Sequence, residues 1–302
     1  MAKTETTTKL LARFGRLNSQ RVNWENHWQE VADYMMPRKA NITKRRTRGD
    51  KRNELIFDSS PLQALELLAA SLHGMMTNPS TPWFTLKFKD AQMDQNDEAK
   101  LWLESVTADM YTAFNRSNFQ QEIFELYHDL ITFGTAAMYI EEDDEDLLKF
   151  STKHIAEIFI AEDDKGRIDT VYRKFTLSAR ALVQKFGNKV SQNIKVMSEK
   201  DPYQDVDILH CVYPRADFNP KLKDQENMPF ESVYLEMGSG DELSVSGFKE
   251  FPYVVPRYLK ASHEIYGRSP AMTALPDVKM LNEMSKTTIK AAQKQVDPPL
   301  LV

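Results

Sequence analysis

One cysteine, Cys211, stands among 302 residues. No internal disulfide can form, and no cysteine-based zinc site can be assembled within one chain. Flanked by Ile208, Leu209 and Val212, the thiol is expected to be a small buried hydrophobe in a strand. Long apolar runs are missing as well. None approaches the ~20 residues needed to cross a bilayer, and Met1 to Thr8 lacks the apolar stretch of a secretory signal. No membrane partner is expected, and the chain is expected to stay in the cytoplasm where it is made. Excess positive charge is also lacking. A formal net charge of -5 argues against a surface that grips nucleic acid everywhere, because such binding rests on phosphate neutralisation and counterion release. Any DNA contact must be local.

Catalytic motifs are absent too. The chain has no Gly-x-x-x-x-Gly-Lys-Ser/Thr phosphate loop, no Gly-x-Gly-x-x-Gly, no Gly-x-Ser-x-Gly and no His-Glu-x-x-His. ATPase, dehydrogenase, hydrolase and metalloprotease readings that rest on a motif are thereby removed. The six histidines are scattered singly, with no i, i+4 pair to put two imidazoles on one helix face. Glu141 to Asp146 and Glu162 to Gly166 read as solvated acidic turns, since the first lacks the interleaved glycine and distal glutamate of a calcium loop. No catalytic residue, cofactor or metal is assigned. Spacing alone still leaves a carboxylate-dependent nuclease open, as it does a nucleic-acid-binding module.

What is present is periodicity, first helical and then strand-like. Length suggests about two domains at ~150 residues each. Leu10, Phe14, Leu17, Trp24, Trp28, Val31 and Met35 mark an amphipathic helix that Pro37 ends. Asp58-Ser-Ser-Pro61 starts another, with Leu62, Leu65, Leu68, Ala69, Leu72 and Met76 as its expected core face. His73 on that helix reads as a hydrogen-bonded packing residue. Trp83 to Phe88 reads as a short strand, followed by helices over 97–116 and 119–133, the latter stopped at Gly134. Strands are expected over 136–140, 147–150, 155–160, 168–175, 205–213, 230–237 and 251–259. A helix over 178–187 and a polar segment to Pro202 interrupt them, and Gly238-Ser-Gly240 reads as a hairpin turn. Helices, then a meander, then a long final helix indicate an α+β fold.

Two stretches stand out chemically. Pro37 to Arg52 carries eight cations, among them Arg45, Arg46 and Arg48, against one acid, Asp50. Such a run either touches phosphate or is a solvated loop. From Ala271 to Gln295 a helix is expected with two faces. Val278, Leu281, Ala292 and Val296 share one side, and Lys279, Lys286, Lys290 and Lys294 fall within about a quarter of the circumference. Val278, Leu281 and Ala292 are expected to pack against protein. The lysines are expected to contact DNA or an adjacent subunit, in part ion-paired through Glu283.

Four segments carry a family resemblance. They are Gly49 to Asp58 with the Ser60-Pro61 helix start; Leu68 to Met76 leading into Pro82-Trp83-Phe84; Phe133-Gly134 with the strand to Glu142; and Phe251 to Asn282, which includes Tyr266-Gly-Arg-Ser-Pro270. In that order they resemble the portal, or head-to-tail connector, proteins of short-tailed double-stranded DNA bacteriophages. The resemblance implies a virion protein that forms a ring of about twelve copies at one capsid vertex. It also implies double-stranded DNA passing through the channel under a separate terminase motor, and tail adaptor and capsid proteins as further partners. Residues 1–262 would be the wing, helical over 1–134 and mainly strand over 135–262. Residues 263–302 would hold the first stem helix and the start of the clip. The family continues through a clip, a returning helix and a crown, so Pro298-Pro-Leu-Leu-Val302 is expected not to be a natural end.

Overall fold

The computed structural model describes residues 5–44, 47, 49–90, 96–219, 221–222 and 224–296. Among these are seven α-helices: α1 (Glu5–Met35), α2 (Ser60–Met76), α3 (Asp97–Arg116), α4 (Phe119–Phe133), α5 (Ala179–Phe186), α6 (Gln192–Lys200) and α7 (Pro270–Val296). The strands are β1 (Ala137–Asp143), β2 (Leu147–Lys153), β3 (Ile158–Glu162), β4 (Ile168–Ser178), β5 (Asp205–Pro214), β6 (Phe230–Glu236), β7 (Glu242–Phe248) and β8 (Tyr253–Val254). They form a sheet of order β2-β1-β8 and an antiparallel meander β3-β4-β5-β6-β7. The fold is α+β. Two compact units alternate along the sequence: the described residues to Glu25 with Ala156–Tyr253, and Asn26–Ile155 with the described residues from Val254 onward.

The first unit is the five-stranded meander covered on both faces. Alternation along β5 sends Leu209 and Cys211 to one face, where Leu10 and Phe14 of α1 meet them with Phe159, Tyr172, Val233 and Leu235. Ile208, one residue out of phase, packs instead with Leu182, Ile194 and Leu243 beneath α5 and α6. Cys211 is fully buried, and burial holds its thiol far above the usual range. Arg21 is buried as well, yet satisfied. Its guanidinium lies over the Phe159 ring at 3.8 Å, donates to the carbonyls of Ile158 and Ala156, and pairs with Glu25 at 2.8 Å.

The second unit is built around α4. Phe119, Leu126 and Tyr127 form a core with Ala136, Met138 and Phe150 of the following hairpin. Trp83 stacks on Phe119 with centroids 5.9 Å apart and planes 7° from parallel. His73 bonds Gln120 at 2.9 Å and meets Phe124 edge-on, the packing role expected of it. At its C-terminal end α4 stops on Gly134, which takes φ 75°, and this stop touches the entry to α7. A Cβ on Gly134 would lie 2.3 Å from the Gly267 carbonyl oxygen, and a Cβ on Gly267 would lie 2.3 Å from that of Gly134. Only glycine fits either position. Around the contact, Tyr258 N donates to Gly134 O at 2.9 Å, Gly267 N to Thr135 Oγ1 at 2.8 Å and Ser269 Oγ to Thr132 O at 2.8 Å. Trp28 Nε1 donates to Phe133 O at 3.0 Å, and its ring meets Tyr266 edge-on.

The structure corrects several expectations. Trp83 to Phe88 joins no sheet: Trp83 N and Phe84 N both donate to the Tyr111 hydroxyl at 2.6 Å, a side chain standing in for a partner strand. The segment before Pro202 contains α6, which buries Ile194 and is capped by Ser191, whose hydroxyl accepts from Ile194 N. β7 forms the far arm of the Gly238-Ser-Gly240 hairpin but its polar sequence hid it. The expected strand over 251–259 shrinks to Tyr253–Val254 plus isolated bridges at Arg257 and Leu259, because Pro252 and Pro256 offer no N–H to a ladder. The strand expected from Ile155 begins at Ile158, after a 3-10 turn. On α2, Leu65 and Ala69 are buried as expected, but Leu68 and Met76 are exposed, alongside Leu67 at 71% and Met75 at 81%. A helix apolar on nearly every side cannot bury all of it against α4.

Gly267→Ala is expected to lower unfolding free energy by roughly 3 kcal/mol, because backbone rather than a movable side chain stands in the way. Gly15→Ala, in the exposed middle of α1 with nothing within 4 Å of the new Cβ, is expected to raise it by roughly 0.5–1 kcal/mol. Chemical denaturation of both variants checks the pair, and equal midpoints would contradict the contact.

Candidate functional site

α7 changes character along its length. Ala271, Met272, Leu275 and Val278 are buried. One turn on, Asn282 is buried beneath the segment that precedes α2. Its Oδ1 accepts from Phe57 N at 2.7 Å and Asp58 N at 3.3 Å, and its Nδ2 donates to Leu55 O at 2.8 Å. Beyond it no described residue of the helix is buried. Leu281 is 38% exposed, Met284 60%, Ile289 45% and Val296 88%, and Ala292 is exposed too. Of the three residues expected to pack against protein, Val278 does so within the chain. Leu281 and Ala292 are open.

The lysine face divides the same way. Lys279 pairs with Glu30 of α1 and lies 5.8 Å from the Tyr34 ring. Lys286 pairs with Glu283 at 2.9 Å and sits 5.6 Å from the Phe57 ring. Lys290 and Lys294 pair with no described residue and border one open surface with Ile289, Ala292 and Val296. An exposed pair such as Lys286 with Glu283 contributes only a few tenths of a kcal/mol, so the charge stays available to a partner.

The first cations of the basic stretch, Arg38, Lys39 and Lys44, are answered from within the chain. Arg45, Arg46 and Arg48 lie outside the described residues. The cations before them are tied down: Lys39 Nζ lies 2.5 Å from both Asp129 Oδ1 and Glu125 Oε1, Arg38 3.4 Å from Glu125, and Lys44 3.0 Å from Asp33. Gln29 caps the turn, its Oε1 accepting from Ile42 N and Thr43 N at 2.9 Å each. Asp129 is buried and its second oxygen has no donor. Burial raises its pKa to about 6 against the pull of Lys39. Burial also raises Glu125, but Lys39 and Arg38 outweigh it and leave that carboxyl below its ordinary value. His128 lies 3.1 Å from Glu66 without hydrogen-bond geometry. Burial depresses its pKa against the pull of Glu66.

The acidic turns are closed on themselves. Asp143 Oδ2 accepts from Glu145 N and Asp146 N, and Asp163 Oδ1 accepts from Lys165 N and Arg167 N. Among the described residues, no three His, Cys, Asp or Glu side chains converge to hold a metal. No helix among them is long and apolar enough to cross a membrane.

α7 is thus held at its base and bare beyond it. The model of one family, described as bacteriophage head to tail connecting protein, matches residues 7–302. The chain belongs to that family. It is 34% identical over 305 residues to a "Probable portal protein" of Bordetella phage BPP-1, covering 99% of this chain and 55% of the relative. It is 34% identical over 307 residues to a "Portal protein" of Salmonella phage epsilon15, covering 100% of this chain and 55% of that relative. The connector chain thus spans about half the length of the curated relatives it matches.

Asn282 and the acids that answer the basic stretch were not found from the connector's sequence. Asn282 left a trace, a polar residue one turn after Val278 on the apolar stripe. Asp129 and Glu125 left none, since about ninety residues separate them from Lys39. Between about pH 4 and pH 6 the folded chain holds a proton on Asp129 that the unfolded chain has released. This carboxyl therefore lowers stability as pH rises across that window. Asp129→Asn should gain roughly 2–3 kcal/mol relative to the parent between pH 4 and pH 6. Denaturation at several pH values measures this, and parallel profiles would contradict it.

Proposed function

We propose that this connector chain is the wing and first stem helix of a portal subunit. In this reading about twelve copies form a ring at one capsid vertex, through which double-stranded DNA is packaged and ejected and to which the tail attaches. Residues to 262 make the wing, and α7 is the stem helix. The observation that carries this reading is α7 from Leu281 onward, where Leu281, Met284, Ile289 and Val296 stand open beside Lys290 and Lys294. An apolar stripe of that length on a helix anchored at one end is covered in a stable particle, and a neighbouring copy is the cover the family supplies. The lysines then contact DNA or the next subunit through charge without base readout. Arg45, Arg46 and Arg48 do the same.

The chain performs no chemistry in this reading. Terminase supplies the motor, and tail adaptor and capsid proteins bind other parts of the particle. Assembly takes place in the host cytoplasm, and the product is part of the virion.

Particle mass tests the proposal. The purified protein is expected to form a ring of about twelve copies of the 34.9 kDa chain, and to cut no DNA with magnesium. Leu281→Asp should leave the monomer folded, since the site is open there, and abolish the ring by burying an unpaired charge in it. Lys286→Ala should assemble normally. A monomer that degrades DNA, and loses that activity on Asp143→Ala or Asp163→Ala, would overturn the reading.

A further inference from the structure

α2 carries a second bare stripe that the fold leaves unexplained. Ala64, Leu67, Leu68, Ser71, Gly74 and Met75 recur at helical spacings of three and four, and all are exposed. Leu67 and Met75 rank among the most exposed large apolar side chains of the molecule. A Cβ on Gly74 would meet nothing within 4 Å, so a helix could approach closely. On α7 a matching stripe continues from buried Val278 through Ser285 to Ile289, Ala292 and Val296, bare from Ile289 onward.

The two stripes differ in charge. Residues 54–76 contain Glu54, Asp58 and Glu66 and no lysine or arginine. Residues 284–296 contain Lys286, Lys290 and Lys294 and no acid. Pairing α2 with α2 of another copy would bring two acidic segments together, and pairing α7 with α7 would bring two basic ones together. Either arrangement is also self-complementary and closes at a dimer. Pairing α2 of one copy with α7 of the next opposes unlike charges, covers both stripes and is heterologous, the kind of contact from which a closed ring is built.

We infer that the Leu67–Leu68–Met75 face of α2 is the docking surface for the Ile289–Ala292–Val296 face of α7 from the neighbouring copy. This rests on the ring proposed above.

Cross-linking tests it, because native Cys211 is fully buried and stays silent. Leu67→Cys combined with Ile289→Cys, treated with a short bismaleimide on the assembled protein, should give a ladder of covalent multimers. Each single variant should give none. Particle mass is read on the same samples. A ring of normal mass without a ladder overturns this pairing and leaves the ring standing. Covalent dimers from Leu67→Cys alone overturn it in favour of a self-complementary contact, and a compact cross-linked monomer overturns it in favour of contact within one chain. A protein that never assembles overturns both proposals.

Discussion

The contact between Gly134 and Gly267 is the constraint on which the second unit depends. It joins two backbone segments, the stop of α4 and the entry to α7, so closely that a methyl group at either position would lie 2.3 Å from the opposing carbonyl oxygen. Backbone in such proximity must have its polar groups answered, and here they are. Tyr258 N, Gly267 N, the Ser269 hydroxyl and the Trp28 indole each fill a place around residues 132–135. Ser269 does double duty, since its hydroxyl also accepts from Met272 N and so begins α7. The direction in which α7 leaves the body is therefore set by backbone hydrogen bonds and side-chain caps, which are directional, more than by apolar packing, which is not.

The division of α7 follows from that anchoring. Near the anchor the helix is supported by its own chain through Val278 and Asn282. Beyond Ser285 its stability must come from intrinsic propensity alone or from something that covers it, and a helical segment of that length is marginal by itself in water. The charges obey the same logic. Cations close to the body, Lys39, Lys44 and Lys279, meet Asp129, Asp33 and Glu30, whereas Lys290 and Lys294 at the far end meet no described acid.

Much of this was legible in the sequence because local signals and tertiary demands agreed. The boundaries of α3 and α4, the Gly134 stop, the silent thiol at Cys211 and the extent of α7 all follow from caps and periodicity. Two of the four segments that carry the family resemblance, at Phe133-Gly134 and at Tyr266 to Pro270, touch one another, which neither announces alone. Failures came where a distant partner replaced a local one. Tyr111 took the place of a strand beside Trp83 and Phe84, and Asp129 answered Lys39 from about ninety residues away. α6 was missed because its single buried face needs little more than Ile194. The bare side of α2 was misread as core because hydrophobicity marks what should be covered without saying by which chain.

Hydrogen–deuterium exchange along α7, compared between the dissociated and assembled protein, tests most directly the claim that the helix is held at its base and finished by neighbours. Slow exchange is expected over residues 271–282 in both states, with slow exchange over 286–296 only after assembly. Equal protection of both halves in the dissociated chain, or a far half that stays unprotected in the assembled particle, would contradict it.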